Sequence, residues 1–134
     1  MEFDVNLIAV IVATVAHQAI GFLWYGLLFA KTWMKAMGKT KEDFEGQGPD
    51  AGMAWGVLAS LVSALSIALI LTLVDDPDLA DGIAVGAVAG VGIATTTIFM
   101  QSIYEQRSHL LSFIFSGYQT LGLIAMGAII GAWQ

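Results

Sequence analysis

The sequence has no cysteine and few basic side chains. It contains five Lys or Arg residues against eleven Asp or Glu residues, which gives a net charge of -6. The absence of cysteine excludes disulfides, thiolate metal sites and thiol chemistry. The deficit of basic residues argues against binding to nucleic acid, because no basic patch could neutralise a row of phosphates.

Charged side chains are also missing from four long stretches, at residues 5–30, 51–74, 82–104 and 108–134. The rest of the chain holds all the charges, and 57% of all residues are apolar. A bilayer core of about 30 Å needs roughly 20 apolar helical residues, so each stretch can span a membrane. We therefore predict one all-α domain over 1–134, an integral membrane four-helix antiparallel bundle with spans at about 5–30, 51–74, 82–104 and 108–133. Because Glu2 and Asp4 precede the first stretch, where a signal peptide has Lys or Arg, we expect it to be a mature helix.

Basic residues favour one orientation of the bundle. All four lysines lie in the loop 31–50, and Arg107 lies between the third and fourth spans, whereas the loop 75–81 has four aspartates and no basic residue. Basic residues near span ends resist translocation. The pattern predicts a multi-pass protein of the cell (inner) membrane, with loop 31–50 at the cytoplasmic interface and both termini outside.

Polar residues recur near the middle of each span. At 1.5 Å per residue, one polar side chain in every span falls roughly 17 to 21 Å from the outer end. This candidate midplane polar layer comprises His17, Gln18, Ser63, Thr95, Thr96, Tyr118 and Gln119, with Thr97 and Thr120 nearby. Polar and ionisable groups at that depth are costly and often mark ion paths or binding sites. The alternative is a neutral His17 whose hydrogen bonds only fix the register of the helices.

A second group of residues lies near the predicted cytoplasmic boundary. Its aromatic members are expected to anchor the helices at headgroup depth, and Glu105 and Arg107 to form a solvated pair; the remaining alternative is a gate or an anion contact facing the lysine loop. The candidate cytoplasmic cluster comprises Trp24, Tyr25, Lys31, Trp33, Glu105, Arg107 and His109.

Small residues recur at every fourth position in the spans, for example at Gly82, Gly86 and Gly90, and at Gly127 and Gly131. Such spacing lets helix backbones approach closely in lipid. It predicts tight packing, either within the chain or against another copy, and we expect a homo-oligomer.

Five short motifs resemble a family of small bacterial and archaeal membrane proteins, domain of unknown function 1761. They are Val5-Asn6, Trp24-Tyr25, residues 29–34 (FAKTWM), residues 105–108 (EQRS) and Gly117-Tyr118. The resemblance implies four spans and assigns no activity, cofactor or catalytic residue. It marks as motif positions Trp24, Tyr25, Lys31, Trp33, Arg107 and Tyr118.

Three functions remain open from the sequence. The first is an oligomeric channel or transporter-like protein for a small solute or ion, with the midplane layer lining the path. The second is a structural or accessory membrane protein in which the layer only fixes packing. An intramembrane enzyme is the least favoured, because the sequence offers no evident nucleophile and base pair, metal set or cofactor fingerprint. We expect no cofactor, and the bilayer as the main partner.

Overall fold

The computed structural model describes residues 5–38 and 51–133. The described elements are helices, as predicted. They are α1 (Leu7–Leu23), a π-helical turn (Trp24–Leu28), α2 (Ala30–Met37), α3 (Ala51–Leu71), α4 (Leu79–Ala87), a second π-helical segment (Val88–Thr95), α5 (Thr96–Glu105) and α6 (His109–Ala132).

Four of the described helical stretches are long and apolar enough to cross a membrane. They are Leu7–Leu28, Ala54–Leu71, Leu79–Glu105 and His109–Ala132. The third begins three residues before the uncharged stretch in the sequence does. Its N-cap is Asp78, whose side chain accepts from the backbone N–H of Asp81, while the Asp81 carboxylate accepts from the backbone N–H of Asp78. Asp81 is therefore part of the first helical turn, where a negative charge is favourable.

The last helix, α6, lies at the centre of the bundle and contacts each of the other five helices. Its closest neighbour is α4. A Cβ added at Gly82 would collide with the backbone oxygen of Gly127, and one added at Gly127 would collide with that of Gly82. The glycines predicted to permit tight packing therefore do so within one chain, where the α4 and α6 backbones are in direct contact.

The apolar core lies in the half of the bundle that holds the two described chain ends. Asn6 Nδ2 donates to the carbonyl of Trp133 at 3.0 Å, and Asn6 Oδ1 caps α1 by accepting from the N–H of Ala9. Beyond this contact, α1, α3 and α6 bury the core residues Ala9, Val10, Ala13, Ala64, Ile67, Ala68, Leu71, Met126 and Ile130.

In the other half of the bundle, α3 separates from α1 and α6. Its residues 54–59 are all exposed, whereas Ser60 and Ala64 are buried. The separation leaves a cleft beside the middle of α1, and the candidate site lies there.

The chain changes direction after the first π-helical turn. The N–H of Phe29 donates to the carbonyl of Trp24 five residues earlier, at 2.8 Å, and Phe29 itself has non-helical angles of φ -120° and ψ 15°. The short helix α2 follows, and its C-cap is Gly38, whose φ of +71° is left-handed. α2 is the described part of the predicted interfacial loop 31–50; residues 39–50 of that loop lie outside the described part of the chain.

Candidate functional site: a cleft between α1, α3 and α6

His17 is the most deeply buried member of the candidate midplane layer, with 4% of its surface exposed. Its Nδ1 lies 2.6 Å from Ser60 Oγ and 3.1 Å from the Tyr118 hydroxyl, which is also 3.3 Å from the backbone carbonyl of His17. The rings of His17 and Tyr118 pack with their centroids 4.7 Å apart. One imidazole thus joins α1 to α3 and α6.

Glycines make room for these two rings. The Cδ2–Nε2 edge of the imidazole lies against Gly122, where an added Cβ would collide with the ring. The phenol ring of Tyr118 lies over Gly21, at 3.0 Å from the position a Cβ would take. Any larger residue at Gly122 would therefore displace His17. The Nε2 atom is buried on this side and has no hydrogen-bond partner among the described residues.

Gln18 extends the network to α3. Its Nε2 donates to Ser60 Oγ at 2.6 Å and lies 3.4 Å from the carbonyl oxygen of Gly56. Ser60 therefore contacts two consecutive residues of α1, and it is 2% exposed. Ser60 is the site residue that the sequence analysis missed. Nothing in the local sequence distinguished it from Ser63, the serine that was predicted.

These side chains form one wall of a cleft between α1, α3 and α6, with a volume of about 680 Å³. That volume is within the usual range for ligand sites. The cleft is lined by His17, Gln18, Gly21, Phe22, Tyr25, Gly56, Ala59, Ser60, Ser63, Tyr118 and Gln119. Five of the seven predicted midplane residues thus meet at one site, together with Tyr25 from the predicted cytoplasmic cluster.

The two remaining midplane residues lie elsewhere. Thr95 Oγ1 donates to the carbonyl of Gly90 at 2.8 Å and lies 3.3 Å from Thr120 Oγ1. Since Thr120 and Tyr118 are two residues apart on α6, they face opposite sides of that helix. Thr96 is exposed and donates to the carbonyls of Gly92 and Ile93 in the π-helical segment before α5. The predicted layer is therefore divided by α6, and only its α1–α3 side opens into the cleft.

The aromatic part of the cytoplasmic cluster continues from the cleft. The Tyr25 ring packs edge-on against both Tyr118, at 5.2 Å, and Trp33 of α2, at 5.5 Å. Trp24 turns inward instead, and its Nε1 donates to the carbonyl of Ile114 at 2.9 Å. The two clusters predicted separately are thus connected by the contact between Tyr25 and Tyr118.

The charged members of that cluster lie near the turn between α5 and α6. Arg107 Nε lies 2.7 Å from a Glu105 carboxylate oxygen, and the guanidinium lies 6.0 Å from the ring centroid of Phe115. His109 stacks on Phe99, with centroids 6.5 Å apart. Lys31 is exposed on α2. None of these four lines the cleft.

The geometry has two chemical implications. Ser60 Oγ and His17 Nδ1 are within the distance of a nucleophile and its base, a pair that the sequence analysis did not find. The Ser60 side chain is almost fully buried, and its oxygen also accepts from Gln18. Within residues 5–38 and 51–133, no group of three His, Asp or Glu side chains is placed to hold a metal ion.

Residues 8–131 match the family described as "Protein of unknown function (DUF1761)". The chain belongs to the DUF1761 family. The match confirms the resemblance seen in the sequence motifs. No curated protein and no solved structure matches the chain.

The motifs that carried the DUF1761 resemblance have structural roles here. Asn6 joins the start of α1 to the end of α6, and Tyr118 joins His17 to Tyr25. Gly117 provides the space for the Trp24 indole, which lies 2.8 Å from the position an added Cβ would take. In this DUF1761 protein, three of the five motifs therefore position helices around α6 or form the cleft.

Proposed function

We propose that this DUF1761 protein is a channel or transporter-like protein that passes a small solute or ion through the polar cleft. The observation that supports this proposal is the cleft itself. It lies about half-way along the spans, has a volume of about 680 Å³ and is lined by His17, Gln18, Ser63 and Gln119. Uncompensated polar surface at this depth in a bilayer is costly, and in membrane proteins it usually faces water or a ligand.

Self-association is part of the proposal. The cleft borders residues 54–59 of α3, which are exposed, so a single chain does not enclose a path. A second copy facing this side would close it. We also propose a cell-membrane location with both termini outside, because Lys31, Lys35 and Arg107 lie away from the joined ends at Asn6 and Trp133.

A structural or accessory role is the second candidate, and one observation favours it. His17 is 4% exposed, and its Nδ1 has two hydroxyl neighbours in its own chain. A polar network of this kind can serve only to fix helix register, with each hydrogen bond worth about 0.6 to 2 kcal/mol in a membrane.

Thiol labelling distinguishes the two roles, because the sequence contains no cysteine that would react in the background. We would compare Ser63→Cys, which places a thiol in the cleft, with Ser66→Cys, one turn along the same helix. Ser66 is exposed outside the cleft, and its hydroxyl donates to the carbonyl of Val62. N-ethylmaleimide reacts with the thiolate, which forms only where water reaches the sulfur.

In proteoliposomes, the transport role predicts that Ser63→Cys is labelled and that Ser66→Cys is labelled only after denaturation in SDS. If both variants stay unlabelled until denaturation, the cleft is dry and the structural role is the correct one.

A further inference from the structure

The cleft is lined by both polar and apolar side chains, and its lining includes one imidazole, that of His17. None of its eleven lining residues is Asp, Glu, Lys or Arg. Three charged residues of the predicted cytoplasmic cluster do not line the cleft. Arg107 pairs with Glu105, and Lys31 is exposed on α2. Among residues 5–38 and 51–133, no carboxylate, Lys or Arg lies in the cleft as a countercharge for a ligand.

The lining does supply hydrogen-bond donors and acceptors. The side-chain amides of Gln18 and Gln119 each provide both kinds of group, and the hydroxyls of Ser63 and Tyr25 can donate or accept. Phe22 and Ala59 add apolar surface on the α1 and α3 sides. Space is available because Gly56 has no neighbouring heavy atom within 4 Å of an added Cβ.

Desolvation decides which solutes such a site accepts. An ion that leaves water for this cleft would lose several kcal/mol of hydration free energy without a countercharge to offset the loss. An uncharged solute with hydroxyl or amide groups would exchange water hydrogen bonds for protein hydrogen bonds at little net cost.

We infer that the solute is uncharged and carries both hydrogen-bond donors and acceptors, as small polyols and amides do. This inference rests on the proposed transport function and narrows it from "solute or ion" to one class of solute. Ser63 and Gln119 are its principal contacts in the cleft, and the His17–Ser60–Gln18 network holds the wall behind them.

The test is a comparison of fluxes into proteoliposomes that contain the full chain. Glycerol and urea uptake would be followed by light scattering after rapid mixing, and K⁺ and Cl⁻ fluxes by ion-selective electrodes. The inference predicts glycerol or urea uptake several-fold faster than in protein-free liposomes, with no added K⁺ or Cl⁻ flux. Ser63→Leu, which fills the cleft, should abolish the added uptake.

Two variants keep the result interpretable. Ser66→Leu adds the same side chain outside the cleft and should leave uptake unchanged. Gly56→Leu adds bulk at the cleft where the backbone has open space, and it should reduce uptake without unfolding the protein.

Each outcome has a separate meaning. Ion flux that Ser63→Leu abolishes would overturn the inference about solute class while leaving the transport function in place. Absence of any added flux would overturn both. Solute uptake that Ser63→Leu does not change would overturn the cleft as the path.

Discussion

Ser60 Oγ lies 2.6 Å from His17 Nδ1 and joins α1 to α3. The same oxygen accepts from Gln18, so one hydroxyl holds two neighbouring side chains of α1. The wall of the cleft therefore depends on a residue that is almost fully buried.

We predict that Ser60→Ala lowers the free energy of unfolding by about 1 to 3 kcal/mol, because it removes a buried partner from two polar side chains. Reversible unfolding in SDS mixed micelles, followed by tryptophan fluorescence, would measure the change. Ser66→Ala is the matched control, since that hydroxyl contacts only its own helix backbone and is exposed. Equal effects of the two substitutions would contradict the account of Ser60.

Close packing of α4 on α6 gives a second prediction. Gly127→Ala should destabilise the protein by about 1 to 3 kcal/mol or more, because the added methyl meets the Gly82 backbone, which cannot rotate away. Gly92→Ala should be neutral or slightly stabilising, because its Cβ would meet only Val88, at 4.0 Å. The same unfolding assay applies. A neutral Gly127→Ala would show that the two backbones do not touch.

The α4 N-cap predicts a dependence of stability on pH. The Asp81 backbone N–H that donates to the Asp78 carboxylate lowers the pKa of Asp78 below its ordinary value. Because the pKa of Asp78 is lower in the folded than in the unfolded protein, its carboxylate stabilises the fold at pH values above the ordinary aspartate pKa. This contribution is lost as the pH falls through the pKa of the folded state.

Unfolding measured from neutral to acidic pH should show this loss in the wild type. Asp78→Asn keeps a good N-cap acceptor but cannot titrate, so its stability should fall less across the same interval. Parallel pH curves for the two proteins would contradict the assignment.

At the turn between α5 and α6, we predict a substitution that stabilises the protein. Gln106 has a φ of 56°, a left-handed conformation that costs an L-residue about 1 to 2 kcal/mol, and its side chain is exposed. We expect Gln106→Gly to raise the free energy of unfolding by up to about 1 kcal/mol. The gain from removing the unfavourable backbone conformation is partly offset because glycine loses more conformational entropy on folding. Gly38→Ala, at φ +71° with open space around it, should lower stability instead. Two changes of the same sign would refute the conformational argument.

Composition was sufficient to predict the all-α class and four spanning helices, because membrane-spanning length and charge segregation are properties of a single chain segment. The small-residue spacing of Gly82 and Gly127 predicted close packing but not the partner. Which helices meet is a tertiary property, and the structure places both glycines in one α4–α6 contact.

The midplane residues were predicted by depth alone, and depth does not fix the direction a side chain faces. His17, Gln18, Ser63, Tyr118 and Gln119 share the cleft, whereas Thr95 lies on the other side of α6 and Thr96 is exposed. Ser60 was missed because its role depends on its contact with His17, 43 residues away. The π-helical segments, which alter the angular position of every later residue, had no signal in the sequence.

Water in the cleft is the central claim, and magnetisation transfer from water to side-chain N–H groups in lipid bilayers, by solid-state NMR, measures it most directly. The account predicts water cross-peaks at the side-chain amides of Gln18 and Gln119 and none at the indole of Trp24, which donates to Ile114. If the side-chain amides of Gln18 and Gln119 also showed no water cross-peak, the cleft would be sealed from water, which would contradict a solute path.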